Sequence, residues 1–167
     1  MKNTTVKFKG SPVQTSGSLP EKNTKAENFT LTAADLSGKT LADYSGEWVI
    51  MNVFPSIDTS VCATSVREFN KRAASLKNTK VLCISKDLPF AQNRFCGAEG
   101  IENVEMLSDF RTDFGKRYGI LIENGPLKGL LSRAVLVINP GGTVVHREQV
   151  PNIEDEPDYE KALAAIK

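Results

Sequence analysis

The sequence predicts an α/β protein with a central mixed β-sheet flanked by helices, and three observations carry that reading. Two nearly continuous apolar, β-rich runs, Trp48 to Phe54 and Lys80 to Ser85, have the look of strands covered on both faces. Helical spacing follows each of them, the alternation that builds parallel strand–helix–strand units. A third strong strand, Arg133 to Asn139, leads through Pro140-Gly141-Gly142 into the alternating segment Thr143 to Glu148, which gives a hairpin near the C-terminus. Gly141-Gly142 opens no helix, so it is a hairpin turn and not a dinucleotide loop.

The remaining elements follow in chain order. Thr4 to Lys9 alternates Val6 and Phe8 with polar neighbours until Gly10, Pro12 and Gly17 interrupt, so a short N-terminal strand or hairpin is expected. Pro20 to Lys25 is polar connection, Phe29 to Thr32 a short strand, and Leu36-Ser37-Gly38-Lys39 a turn. After the first buried strand, Val66, Phe69, Ala73 and Leu76 recur at three- and four-residue steps, with Arg67, Glu68, Lys71, Arg72 and Lys77 on the other face. That spacing predicts a helix from about Ser60 to Leu76, with Thr59 or Ser60 as N-cap. Asp87 then offers a cap and Pro89 an early helical position, so Pro89 to about Ala98 is read as helix. Val104 to Leu107 reads as a strand, Thr112 to Tyr118 as a short helix stopped by Gly119, and Pro151 to Pro157 as a connector. Asp158 to Ile166 closes the chain as a helix with Tyr159, Leu163 and Ile166 on one side. Trp48, Phe54 and Phe69 are assigned to the core.

A chain of 167 residues suits a single domain, 1–167, that needs no disulfide or metal staple. Apolar residues make up 40% and charged ones 25%, ordinary for a globular protein. The net charge of +1, with no long block of either sign, argues against nucleic-acid or anionic-membrane partners. No run approaches the roughly 18 apolar residues of a membrane span. The N-terminus lacks the apolar run of about 7 to 15 residues that a signal peptide needs. The expected compartment is therefore the cytoplasm, where thiols stay reduced and three cysteines point to catalysis, redox sensing or packing.

Chemistry concentrates at Val53 to Phe69. A strand ends at Phe54, Pro55 follows, and a polar turn of Ser56, Asp58, Thr59 and Ser60 delivers Cys62 to the first turn of the helix. The unpaired N–H groups and the dipole of a helix start favour a thiolate, the nucleophilic form of cysteine. Thr59, three residues earlier, can reach the sulfur with its hydroxyl, and an arginine nearby would hold the thiolate and polarise a substrate oxygen. The bland alternative is a small buried hydrophobe at a helix start. Cys83, mid-strand among Val81, Leu82 and Ile84, is read as packing. Cys96 reads on its residues alone equally as the apolar edge of a helix and as a second reactive thiol. His146 is the sole histidine and is placed at the surface or a sheet edge; no pair of cysteines has zinc-site spacing. Asp58 and Glu68 are read as solvated or salt-paired, with Glu68 placed to orient an arginine.

Pro55, Thr59 and Cys62 fit PxxxTxxC, the active-site pattern of the peroxiredoxins. With LPFAQNRFC around Cys96, Arg133 in LLSRAVLV and EPDYEKAL near the C-terminus, the chain resembles one branch of that family, the bacterial thiol peroxidases or atypical two-cysteine peroxiredoxins. The resemblance extends from about Val6 to the last helix. It implies a thioredoxin fold with an added N-terminal β-hairpin, a peroxidatic Cys62, a resolving Cys96, and a site completed by Thr59, Arg133 and Pro55.

On that resemblance the chain reduces hydrogen peroxide and organic hydroperoxides. The Cys62 thiolate attacks the peroxide and becomes a sulfenic acid, which condenses with Cys96 into an intrachain Cys62–Cys96 disulfide that thioredoxin reopens. A homodimer without metal or organic cofactor is implied as well. Disulfide geometry brings Cα atoms within roughly 7 Å, and two helical cysteines seldom start that close. The first turn at Cys62 and the helix bearing Cys96 are therefore expected to unwind at each turnover. Rival chemistries fit less well: CxxxxxR phosphatases need an arginine where Glu68 stands, and CxxC exchange needs a cysteine where Ser65 stands. A non-enzymatic redox-sensor module with a reactive Cys62 is the third alternative.

Overall fold

A computed structural model describes residues 3–167. Strands β1 (Thr5–Phe8) and β2 (Ser11–Gln14) form a separate antiparallel hairpin. Consecutive left-handed residues at its tip, Lys9 (φ 50) and Gly10 (φ 81), give the turn the twist a two-residue hairpin needs. Pro12, expected to break the pattern, lies inside β2 opposite Lys7, because a two-stranded ribbon leaves an edge where a missing N–H costs no ladder bond.

Seven further strands form one sheet. They are β3 (Thr30–Thr32), β4 (Gly38–Thr40), β5 (Trp48–Val53), β6 (Thr79–Ser85), β7 (Glu105–Ser108), β8 (Ala134–Ile138) and β9 (Val144–Gln149), ordered β4-β3-β7-β6-β5-β8-β9. The helices are α1 (Ser60–Ala73), α2 (Pro89–Glu99), α3 (Phe114–Arg117) and α4 (Tyr159–Ala164). β5 runs parallel to β6 across α1, and β8 and β9 return antiparallel on its other side before α4. This is the thioredoxin arrangement the resemblance implied, with a mixed central sheet.

Alternation along β5 divides the core into two layers. Met51 and Val53 pack with Leu82, Ile84, Leu107 and Leu136 against Phe29, Leu31, Phe114 and Tyr118. Ile50 packs on the opposite face with Cys83, Met106 and Val135, under Val66 and Phe69 of α1, Phe95 of α2 and Ala162 of α4. Each such side chain removed from water contributes roughly 1.5–3 kcal/mol. Trp48, assigned to the core, is only half-buried where the strand begins, whereas Phe54 and Phe69 are fully covered.

Several boundaries differ from expectation for local reasons. Helix α1 stops at Ala73, and Ser75 and Leu76 continue only as tight turns onto the carbonyls of Arg72 and Ala73. The segment read as a turn at 36–39 closes earlier, with Leu36 at φ 71, and its last two residues start β4. Asp87 does not cap α2: Leu88 takes the N-cap position, while Pro89 stands inside the first turn as expected. Asp158 does cap α4, accepting the Lys161 N–H at 3.1 Å.

Candidate active site

β5 ends at Val53, and Phe54 and Pro55 continue buried into a turn that returns as α1. This turn is pinned from the end of the neighbouring strand β6. The Asp87 carboxylate accepts the Ser56 hydroxyl at 2.8 Å, the Ile57 N–H at 2.7 Å and the Ser85 hydroxyl at 2.6 Å. One side chain following β6 thereby fixes the loop that presents Cys62. No local pattern reports the bonds from Ser56 and Ile57, which lie 31 and 30 residues from Asp87.

Cys62 sits in the first turn of α1 with its side chain fully buried. The guanidinium of Arg133, only 2% exposed, donates through Nη2 to Cys62 Sγ at 3.2 Å and through Nε to the Ile153 carbonyl at 2.7 Å. Its Nη1 is buried without a hydrogen-bond partner among the described residues. The structure thus brings together a buried nucleophile, a fixed cation and an unused donor, contributed by α1, the residue before β8 and the connector after β9.

The other sequence-predicted residues are placed as follows. Thr59 occupies the N-cap position, but it is exposed and its hydroxyl donates to the Ser56 carbonyl at 2.9 Å, not to the sulfur or to a helix N–H. Pro55 is buried within the turn. Cys96 is free and half-buried in the last turns of α2, where burial pushes its thiol up. Cys83 is free, fully buried, and pushed up to about 12 chiefly by burial, as packing requires. Glu68 pairs with Arg72 at 2.8 Å and Asp58 with Arg94 at 2.9 Å, both salt-paired as read. His146 lies on the edge strand β9 with Nε2 buried, and burial lowers its titration.

A groove of about 480 Å³ runs between α1 and α2 beside the Cys62 turn, lined by Ile57, Ala63 and Phe95 and by Arg67 and Arg94. Cys96 opens into a different groove, with Asn93, Asp35 and Met106. Phe95 and Glu99 of α2 face α1, Glu99 pairing with Arg67, and Cys96 packs at the edge of the apolar layer that holds Cys62.

Two buried polar side chains escaped the sequence reading. Ser65 donates to the Cys62 carbonyl at 2.7 Å, and Asn52 of β5 donates to Ser65 Oγ at 3.1 Å. The signal for Asn52 was present: one amide inside the otherwise apolar run WVIMNVF.

The chain is similar to known proteins in sequence and in fold. The Redoxin family model matches residues 21–163. The chain is 52% identical over 159 residues to a thiol peroxidase of Corynebacterium glutamicum, covering 95% of this chain and 96% of that one. A thiol peroxidase of Mycobacterium tuberculosis is 52% identical over 161 residues, covering 96% and 97%. Among solved structures, a peroxiredoxin-like protein from Aquifex aeolicus superposes with a TM-score of 0.91 at 36% identity, over 99% of this chain and 100% of that one. A thiol peroxidase from Chromobacterium violaceum gives 0.90 at 25% identity, over 98% and 96%.

Proposed function

Because the chain belongs to the Redoxin family and is a thiol-dependent peroxidase of the peroxiredoxin type, we propose that it reduces hydrogen peroxide and organic hydroperoxides through Cys62 and Cys96, with thioredoxin as reductant. The observation that carries this reading is the 3.2 Å contact between Arg133 Nη2 and Cys62 Sγ at a buried helix start.

The Cys62 thiolate attacks the terminal peroxide oxygen, the O–O bond breaks, and the departing oxygen takes a proton to leave as water or alcohol. The sulfur is oxidised to sulfenic acid. Arg133, through Nη2 and the unused Nη1, offsets the charge that moves onto the leaving oxygen, in the manner of an oxyanion hole. Pro55, which has no N–H, shields the sulfur from water, and Thr59 supplies a hydroxyl at the mouth. The apolar wall of the α1–α2 groove supports alkyl hydroperoxides as well as hydrogen peroxide.

The Cys96 thiolate then displaces hydroxide from the sulfenic sulfur, giving water and a Cys62–Cys96 disulfide. Because each thiol is held within a helix, the first turn of α1 and the end of α2 unwind to meet. A dithiol reductant, thioredoxin, takes up the disulfide by two exchanges and restores both thiols. The cycle is placed in the cytoplasm, where such a reductant keeps thiols reduced.

The same reading includes a homodimer. The exposed large hydrophobics Leu36, Leu88, Phe90 and Phe110 support it, since they gather on one rim. Ser108 Oγ links Asp87 to Phe110, and Arg111 reaches from the Phe110 ring to the Leu36 carbonyl. Exposed large hydrophobics of this kind suit a second copy.

Thioredoxin-coupled NADPH consumption with cumene hydroperoxide tests the cycle. Cys62→Ser and Cys96→Ser are expected to abolish turnover, with Cys96→Ser still consuming one equivalent of peroxide. Normal turnover of Cys96→Ser would reduce the chain to a one-cysteine enzyme.

A further inference from the structure

We infer that Asn52 and Ser65 are positioning residues for Cys62, a tether from the sheet that holds the first turn of α1 folded and sets how readily it unwinds. Three contacts define it. Ser65 Oγ donates to the Cys62 carbonyl at 2.7 Å, Asn52 Nδ2 donates to Ser65 Oγ at 3.1 Å, and the same Nδ2 lies 3.7 Å from Cys83 Sγ on the neighbouring strand. Register places Asn52 directly beside Cys83 in the parallel β5–β6 pair. All four residues are completely buried.

The arrangement is costly for the core alone. Asn52 sits between Met51 and Val53 with its Oδ1 unpartnered among the described residues, at a place where an apolar side chain would pack without desolvating an amide. A serine that bonds back to a helix carbonyl does little for the helix by itself and tends to bend it. Anchored by Asn52, that hydroxyl joins the carbonyl of the reactive cysteine to β5. The turn cannot leave the sheet without breaking a buried bond, so the link opposes unwinding at the residue that must move.

The consequence for catalysis rests on the two-cysteine cycle proposed above. The folded turn, with Cys62 against Arg133, reacts with peroxide, and the unwound turn reacts with Cys96. The tether therefore sets the partition between them. It also sets the time for which the sulfenic acid stays exposed to a second peroxide.

Amide exchange on the reduced protein tests the tether without reference to peroxide. Ser65→Ala and the volume-conserving Asn52→Val are expected to accelerate exchange across residues 63–66, the first N–H groups bonded within the helix, by about tenfold, the loss of roughly one net hydrogen bond. Residues 67–73 of the same helix and strand β8 keep their protection, and Ser65→Thr, which retains the hydroxyl, restores protection at 63–66. A side chain serving stability alone would predict the reverse for Asn52→Val, slower exchange everywhere in a more apolar core. Unchanged exchange at 63–66 in both variants, or uniform acceleration through α1 and the sheet, overturns the inference. Stopped-flow oxidation then reads the partition: the variants form the Cys62–Cys96 disulfide several-fold faster than wild type and yield less sulfinic acid. A wild type that forms no such disulfide refutes the cycle and leaves the exchange result to decide the tether.

Discussion

Arg133 Nη2 lies 3.2 Å from Cys62 Sγ, and neither side chain reaches solvent appreciably. A buried guanidinium needs an anionic or strongly accepting partner, yet no carboxylate pairs with Arg133 among the described residues. The sulfur and the Ile153 carbonyl are what it holds. Arg133→Lys keeps a charge but loses the fork that reaches both, and Arg133→Gln loses the charge too. The second-order rate of Cys62 with peroxide is expected to fall by about 10²-fold or more in either variant, the size of a lost oxyanion donor. Stopped-flow tryptophan fluorescence or competition with a peroxide probe measures it, and a rate within threefold of wild type would remove Arg133 from the proposed mechanism.

Asp87 gathers Ser56, Ile57 and Ser85 onto one carboxylate. Asp87→Ala leaves the Ile57 N–H and two hydroxyls without that acceptor, and at about 1.5–3 kcal/mol for a bond to a charged group the loss should exceed 2 kcal/mol. Urea unfolding reads the stability, and the peroxide rate should drop as the turn loosens. Asp87→Asn, which still accepts through one oxygen, is expected to fall between. Equal midpoints for all three proteins would show that the cross-link does not hold the turn.

How far these features were readable before the fold was known depends on their range. The runs at Trp48 to Phe54 and Lys80 to Ser85, and the helices after them, report themselves because their periodicity lies within a few neighbouring residues. Cys62 was legible for the same reason, standing in a turn between two such signals. The Arg133 contact and the Asp87 cross-link join residues far apart in sequence, and Arg133 was singled out only through resemblance. Thr59 shows the opposite limit. Its spacing allowed a bond to the sulfur, but the Ser56 carbonyl in the same turn accepts both the Thr59 N–H and its hydroxyl.

Cys83 stays protonated until about pH 12 because burial penalises its thiolate. The thiolate is the reactive form, so Cys83→Ala is expected to retain peroxide turnover with both substrates. Its cost should appear in stability and, through the lost contact with Asn52 Nδ2, in somewhat faster amide exchange at the start of α1. A loss of turnover beyond tenfold, with the fold intact by circular dichroism, would contradict a packing role.

His146 carries the clearest pH dependence. Burial, first among the causes, with Lys22 and Lys161 nearby, lowers its titration from 6.5 against the opposing pull of Glu148 and Asp158. The unfolded chain takes up a proton near that pH and the folded chain resists it. This contribution to stability is therefore present above about pH 6.5 and is lost as pH falls through the lowered folded value. Urea midpoints at pH 7.5 and 5.5 should differ more in wild type than in His146→Gln. Equal pH slopes would assign the acid sensitivity to other groups.

The rim formed by Leu36, Leu88, Phe90 and Phe110 yields a prediction about assembly. Phe90 is 65% exposed on the first turn of α2, one residue beyond the buried Pro89, so a change there leaves the core untouched. Phe90→Glu puts a charge into the centre of an interface that the proposed homodimer buries, and desolvating an unpaired carboxylate costs more than the rim contact returns. Sedimentation velocity at micromolar protein should show a dimer for wild type and a monomer for the variant, with unchanged thermal unfolding of the isolated fold at high dilution. Because Ser108 and Asp87 link this rim to the Cys62 turn, dissociation should also lower the peroxide rate. A variant that sediments as wild type would move the interface elsewhere, and a wild-type monomer would remove the dimer from the proposed function.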